Sequence, residues 1–199
     1  AALNRRQLLW CGALPWLAGI PRRVGLDSGG RGFAHQVRVP ASPTAPRHEA
    51  EVYLDTLRTL DIEPREPRLE FFPCREDEAA VEALGLLADA PLVIVHPAGG
   101  VNPGMTLLSK RWPAARFAGL ADRLVAEHGA RILLVGGPGD RDVSAAVAEA
   151  MRPAPVDLTG RLSFGALGAL ARRAALYVGN DTGATHLAVA VGAPTLMIM

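Results

Sequence analysis

Apolar positions along this chain follow two rhythms. Short continuous runs such as Leu92-Val-Ile-Val95, Ile132-Leu-Leu-Val135 and Leu176-Tyr-Val178 alternate with longer stretches whose apolar residues recur every three or four positions. Runs of that length predict strands buried on both faces, and the wider spacing predicts amphipathic helices. From Pro91 onward the pattern gives strands over 92–95, 131–135, 156–158, 176–178 and 195–199. Helices over 113–128, 140–151, 163–173 and from the 179–183 turn to about 191 fall between them, with Pro113 suited to a first turn and Gly129 to a helix end. Such alternation predicts a parallel sheet with helices on both faces and ligands at the strands' carboxyl ends.

Upstream the pattern is looser. Residues 8–18 predict the end of a helix that Gly19-Ile-Pro21 stops, and Arg22-Arg-Val-Gly-Leu26 leads into a strand. Residues 37–39 predict a further short strand, 40–46 a loop, and 48–60 a helix with Val52, Leu54, Leu57 and Leu60 on one face. Prolines and charges recur over 61–73, the signature of a linker, and 76–87 predicts a helix with Ala80, Val81, Leu84 and Leu87 aligned. The expected division is therefore a first-domain remnant over 1–60, a linker and connecting helix over 61–90, and a second domain over 91–199. A core-type strand at the very end, Thr195-Leu-Met-Ile-Met199, points to truncation there, and an opening without Met points the same way at the start.

Composition narrows the function classes. With 49% hydrophobic residues in 199, a sizeable core is available. Lys and Arg (21) nearly balance Asp and Glu (20), which argues against a protein built to grip a nucleic-acid backbone. Any anion must be held locally. Cys11 and Cys74 fit no metal or redox spacing and are expected as reduced, buried thiols. Arg5-Arg6 before the apolar residues 8–20 mimics a signal peptide, but Pro15 interrupts the run, Ala-x-Ala spacing is missing and the run is too short to span a bilayer. Arg22, Arg23 and Arg31 read as solvated loop arginines rather than phosphate contacts.

Candidate chemistry clusters where strands end. The first run leads into His96-Pro-Ala-Gly-Gly100, the second into Gly136-Gly-Pro-Gly-Asp140 and the third into Gly179-Asn-Asp-Thr-Gly183. Asp181 or Thr182 is a natural N-cap for the helix that follows, and a helix start carries free N–H groups and partial positive charge suited to a phosphate. Lys110, in Ser109-Lys-Arg-Trp-Pro113, can place a cation over the same rim. A dinucleotide site is excluded because Asp142 stands where G-x-G-x-x-G needs its third glycine; P-loop and G-x-S-x-G patterns are absent.

Taken in order, His96-Pro97, Lys110-Arg-Trp-Pro113, Gly136-Gly-Pro138, Asp157-Leu-Thr-Gly160 with Leu167 downstream, and Gly179-Asn-Asp-Thr-Gly-x-x-His186-Leu-Ala188 resemble the ADP-heptose:lipopolysaccharide heptosyltransferases of glycosyltransferase family 9. Ala18-Gly-Ile-Pro-Arg-Arg-Val-Gly25 and His48-Glu-Ala-Glu-Val-Tyr53 look like that family's amino-terminal domain near its linker. The resemblance implies an α/β, GT-B-like fold of two Rossmann-like domains, the first truncated and the second holding the donor. It implies an inverting, metal-independent transfer of a sugar, heptose foremost, from a nucleotide-diphosphate donor such as ADP-heptose to a lipopolysaccharide or other envelope glycan. The implied partners are that donor and a glycolipid or glycan acceptor, without a cofactor, in the cytoplasm or peripherally at the inner membrane surface.

By the same resemblance, Lys110 stabilises the leaving diphosphate and the N–H groups of Thr182 and Gly183 form its seat. Asp181 caps and shapes the turn, and His186 either donates to a phosphate oxygen or packs. Asp140 is similar to the acidic residue that holds the donor ribose, though one methylene shorter than the usual Glu. The loop from His96 to Lys110 is longer than in the heptosyltransferases. The family's general base lies near the start of its first domain, so none of Asp27, Glu49 or Asp55 is assigned that role. Two other readings stay open at this point: a nucleotide-sugar binding module without turnover, and a GT-B-like nucleotide-sugar epimerase.

Overall fold

The computed structural model describes residues 5–27, 31–40, 48–64, 68–86, 90–102 and 105–199. The chain folds as two compact units, Ala1–Pro67 and Arg68–Met199. In the first, helix α1 (Arg5–Leu17) precedes strand β1 (Val24–Asp27), a 3-10 turn over Arg31–Ala34 and strand β2 (Val37–Pro40). The two strands pair in parallel from Val24 opposite Val37 to Asp27 opposite Pro40. Arg23, expected as a solvated loop arginine, instead fastens the turn: its guanidinium donates to the carbonyls of Ala34 and Ile20. Helix α2 (Glu49–Arg58) follows, with the His48 ring accepting from Ala50 N–H at its start. Most of the loop expected over 40–46 lies outside the described residues.

The second unit opens with helix α3 (Arg75–Glu82), so the expected linker of 61–90 is divided between the units. Helix α3 packs on helix α6 (Phe164–Arg172), with Val81 fully buried, while Glu78 pairs with Arg172 and Arg173. It stops at Ala83 because Gly85 turns the chain into the left-handed region (φ 64°). Leu87 falls outside the described residues. Cys74 is exposed rather than buried, since it occupies the N-cap of α3, where its thiol meets Asp77 Oδ2 at 3.1 Å.

The sheet that follows consists of β3 (Leu92–His96), β6 (Arg131–Leu134), β7 (Val156–Asp157), β8 (Leu176–Asn180) and β9 (Thr195–Ile198). Its order is β7-β6-β3-β8-β9, all parallel. A two-residue hairpin, β4 (Val101–Asn102) and β5 (Met105–Thr106), rises from the loop after β3. Helices α4 (Ala114–His128) and α5 (Arg141–Ala150) cover one face, with Phe117, Ala121 and Val147 packed on Val93, Val95, Ile132 and Leu134. On the other face α3, α6 and α7 (Gly183–Ala190) close over Ile94, Leu133 and Tyr177. Alternate residues of one strand thus feed opposite cores, which is why these strands read as unbroken apolar runs.

Substituting Val81→Asp places a charge without a partner between α3 and α6 and is expected to cost the unit roughly 3–5 kcal/mol in urea unfolding. Its exposed neighbour in Ala80→Asp is expected to change stability by no more than about 0.5 kcal/mol. Equal midpoints for the two variants would contradict the docking of α3.

Candidate active site

Three strand ends of the second unit meet at one rim. The residues after β3, β6 and β8 line a cleft of about 200 Å³ bounded by His96, Gly99, Gly100, Arg111, Asp140, Asp181, Thr182 and Gly183. Their spacing is set by one buried side chain. Asn180, the last residue of β8, accepts from Trp112 N–H through Oδ1 at 2.9 Å and donates through Nδ2 to the carbonyls of Pro97 (3.0 Å) and Ala98 (2.9 Å). It therefore ties the segment carrying Lys110 and Arg111 and the loop after β3 to the turn that opens α7. Small residues permit the close approach: a Cβ on Gly99, whose φ is +127°, would stand 2.5 Å from Thr182 Cγ2.

Thr182 is the N-cap of α7, its hydroxyl accepting from Thr185 N–H at 3.4 Å. The backbone N–H groups of Thr182, Gly183 and Ala184 have no acceptor among the described residues, so the helix start presents free donors at the cleft. Asp181, expected to cap and shape this turn, does not cap. Its own N–H donates to Ile198 O (3.1 Å), which ties it to β9 one residue before the N-cap. Its carboxylate instead faces two side chains, with Oδ2 3.5 Å from the Lys110 ammonium and Oδ1 3.2 Å from His186 Nε2. His186 is thus neither packed nor on the cleft wall; it stands exposed at the rim, and Lys110 stands beside it across Asp181.

Asp140 sits on the cleft wall, with Oδ2 accepting Gly137 N–H at 2.8 Å and so folding back on its own turn. The Asp157-Leu-Thr-Gly160 segment braces that turn. Gly160 N–H donates to Gly136 O (2.9 Å), Gly160 adopts φ +73° with Pro138 Cα 3.2 Å from where a Cβ would stand, and Thr159 donates to the buried Ser144 hydroxyl. The structure therefore brings together all six residues singled out from the sequence: Lys110, Asp140, Asp181, Thr182, Gly183 and His186. It adds His96 and Arg111, which sequence reasoning left as motif neighbours. Arg111 donates through Nε to Gly99 O at 2.5 Å. Among the described residues, no group of three or more His, Cys, Asp or Glu side chains is placed to hold a metal ion.

Comparison with known proteins fits this geometry. The sequence model of glycosyltransferase family 9 (heptosyltransferase) matches residues 1–198. The chain belongs to glycosyltransferase family 9. It is 32% identical over 101 residues to lipopolysaccharide heptosyltransferase 3 of Escherichia coli, a match covering 49% of this chain and 29% of that protein. It superposes on a glycosyl transferase family 9 crystal structure from Veillonella parvula DSM 2008 with a TM-score of 0.78 at 26% identity, covering 94% of this chain and 53% of that one. With ADP-heptose lipopolysaccharide heptosyltransferase II of E. coli the TM-score is 0.72 at 22% identity, over 94% and 58% of the two chains. The chain thus spans less than two thirds of these family 9 relatives, and its α/β, GT-B-like fold class is shared with the two solved structures.

In this family 9 chain His96 is 6% exposed, and burial lowers its pKa below the ordinary value of 6.5 against a smaller upward pull from Asp140. On acidification the unfolded chain takes up a proton near 6.5 before the folded chain does. Stability is therefore complete above that value and declines as pH falls through the window down to the depressed native pKa. Urea midpoints from pH 7.5 to 5 are expected to drop more steeply for the wild type than for His96→Gln. Identical slopes would remove His96 from the acid response.

Proposed function

We propose that the chain binds the nucleotide-sugar donor of a glycosyltransferase and that the protein transfers a sugar, heptose foremost, to a lipopolysaccharide or related envelope glycan. The observation that carries this reading is the meeting of two anion-binding features at one rim. The free amides of Thr182 and Gly183 open helix α7, and the Lys110 ammonium reaches Asp181, the residue just before them. The heptosyltransferase activity named for the two E. coli relatives, with ADP-heptose named for one of them, agrees with a diphosphate at this place. Membership of family 9 is the further support.

The chemistry follows from charge. As the acceptor hydroxyl attacks the anomeric carbon, the bond to the nucleoside diphosphate breaks and negative charge grows on the leaving oxygen. Fixed amide dipoles and the Lys110 cation stabilise that charge without reorganisation. Before the donor arrives, Asp181 neutralises Lys110; the diphosphate then competes with a partner that is itself more than a third exposed and weakly held. Asp140 stands on the wall of the same cleft and is our candidate for the ribose contact. With a glycolipid acceptor the reaction belongs at the cytoplasmic surface of the inner membrane. Among the described residues no helix is long and apolar enough to cross a membrane.

In a transfer assay with ADP-heptose and a lipopolysaccharide acceptor, Lys110→Ala is expected to lower the rate by about 100-fold or more, the loss typical of one charge-stabilising donor. A rate near wild type would remove Lys110 from the mechanism, and ADP binding without any transfer by the wild type would leave a binding module.

A Cβ added to Gly183 meets no atom within 4 Å, so the side chain in Gly183→Val starts in open space at the seat. Calorimetry is expected to show ADP affinity weakened about tenfold or more by crowding of the helix start, of the order of one lost hydrogen bond to a charged group. Unchanged affinity would place the diphosphate elsewhere.

A further inference from the structure

His96 ends β3 directly opposite Gly179 of β8, and its Cβ would come within 3.3 Å of a Cβ on that residue. The absence of a side chain at 179 leaves room for the Thr185 hydroxyl, which a Cβ there would meet at 2.7 Å, beside the His96 side chain. Thr182 Oγ1 lies 3.3 Å from His96 Nδ1. The other ring nitrogen, Nε2, has no hydrogen-bond partner among the described residues, although the residue is only 6% exposed and its ring lines the cleft. A nearly buried ring whose second nitrogen is open to the cleft has a polar atom available to a ligand there.

We propose that His96 holds the diphosphate of the nucleotide-sugar donor through Nε2–H, as an uncharged hydrogen-bond donor whose tautomer is set by Thr182 at Nδ1. This deepens the nucleotide reading of the cleft and rests on it. The proton inventory permits the assignment. Thr185 commits its hydroxyl proton to Asn180 O at 2.6 Å, so toward Thr182, 3.2 Å away, it can only accept. The single Thr182 hydroxyl proton therefore goes either to Thr185 Oγ1 or to His96 Nδ1. An anionic oxygen in the cleft requires a proton on Nε2, which leaves Nδ1 as an acceptor and draws the Thr182 proton onto it.

The ring acts uncharged because burial disfavours the imidazolium. The charged and titratable groups around it are Arg111, Asp140 and Asp181, with Lys110 and His186 reaching the rim through Asp181. Those acidic and basic groups set the net field of the cleft. His96 adds a donor of fixed direction that needs no counter-ion.

The test is calorimetric titration of ADP into the wild type and three variants. His96→Gln carries an amide N–H at about the position of Nε2, whereas His96→Asn can replace only the Nδ1 side and His96→Phe replaces neither. Loss of one hydrogen bond to a charged oxygen predicts that Asn and Phe weaken ADP binding about ten- to one-hundred-fold, with Gln within about threefold of wild type. In ¹⁵N-labelled wild type, ADP is expected to shift the His96 Nε2–H resonance while Nδ1 keeps the shift of an unprotonated nitrogen, a signature that a purely structural ring would not give. Wild-type ADP affinity in His96→Asn, or a proton on Nδ1 in the ADP complex, would overturn the proposal while leaving the nucleotide reading intact. Failure of the wild type to bind ADP would overturn both.

Discussion

The side-chain amide of Asn180 is the constraint on which the rest of the site depends. Its three hydrogen bonds join segments that are 68 to 83 residues apart in sequence, and it does so with 1% of its surface exposed. An amide is the only side chain that can accept from Trp112 N–H and donate to two carbonyls from one planar group. A carboxylate would set its charge against the carbonyls of Pro97 and Ala98, and an apolar substitute would leave all three backbone groups without partners. Thr185 fixes the main chain of the same residue by donating to its carbonyl, so both the side chain and the backbone of Asn180 are committed. The parallel sheet brings the strand ends near one another; this amide turns proximity into register.

Around that anchor the charges are arranged as a balance. Asp181 stands between Lys110 and His186, an acidic residue in a place that an anionic ligand would occupy electrostatically. All three side chains are at least a third exposed, so the pairings are weak in water and exchangeable. By contrast the neutral elements of the site, Thr182, Thr185 and His96, are linked by short-range contacts beneath the rim. Neutral groups below and the exposed Lys110 cation above would let a diphosphate dock on fixed dipoles and recruit charge afterwards.

Much of the second unit is legible in its sequence because strands buried on both faces leave an unmistakable apolar run. Where expectation and structure part, long-range pairing is the reason. Strand β8 continues through Gly179 and Asn180, residues that locally read as a turn, because they pair with Met197 and Ile198 of β9. The Asp181 N–H follows that pairing by donating to Ile198 O, and the cap falls to Thr182. Helix α3 is periodic enough to predict, but nothing local in its sequence says which unit it packs on; its buried Val81 and the Glu78 pairs to α6 do. The place of His96 is hidden for a similar reason, since the pairing of β3 with β8, and not its sequence neighbours, sets its ring beside Thr182. Conversely, the position of Asp140, Thr182 and Gly183 at the cleft is legible because helix starts and strand ends advertise themselves with capping residues and glycine.

A crystal structure of this chain with ADP tests the central claim most directly. The account predicts the diphosphate over the Thr182 and Gly183 amides, between Lys110 and His96, with the three Asn180 hydrogen bonds intact. A diphosphate bound elsewhere on the unit, or seated there only after the Asn180 bonds to Trp112, Pro97 and Ala98 have broken, would contradict it.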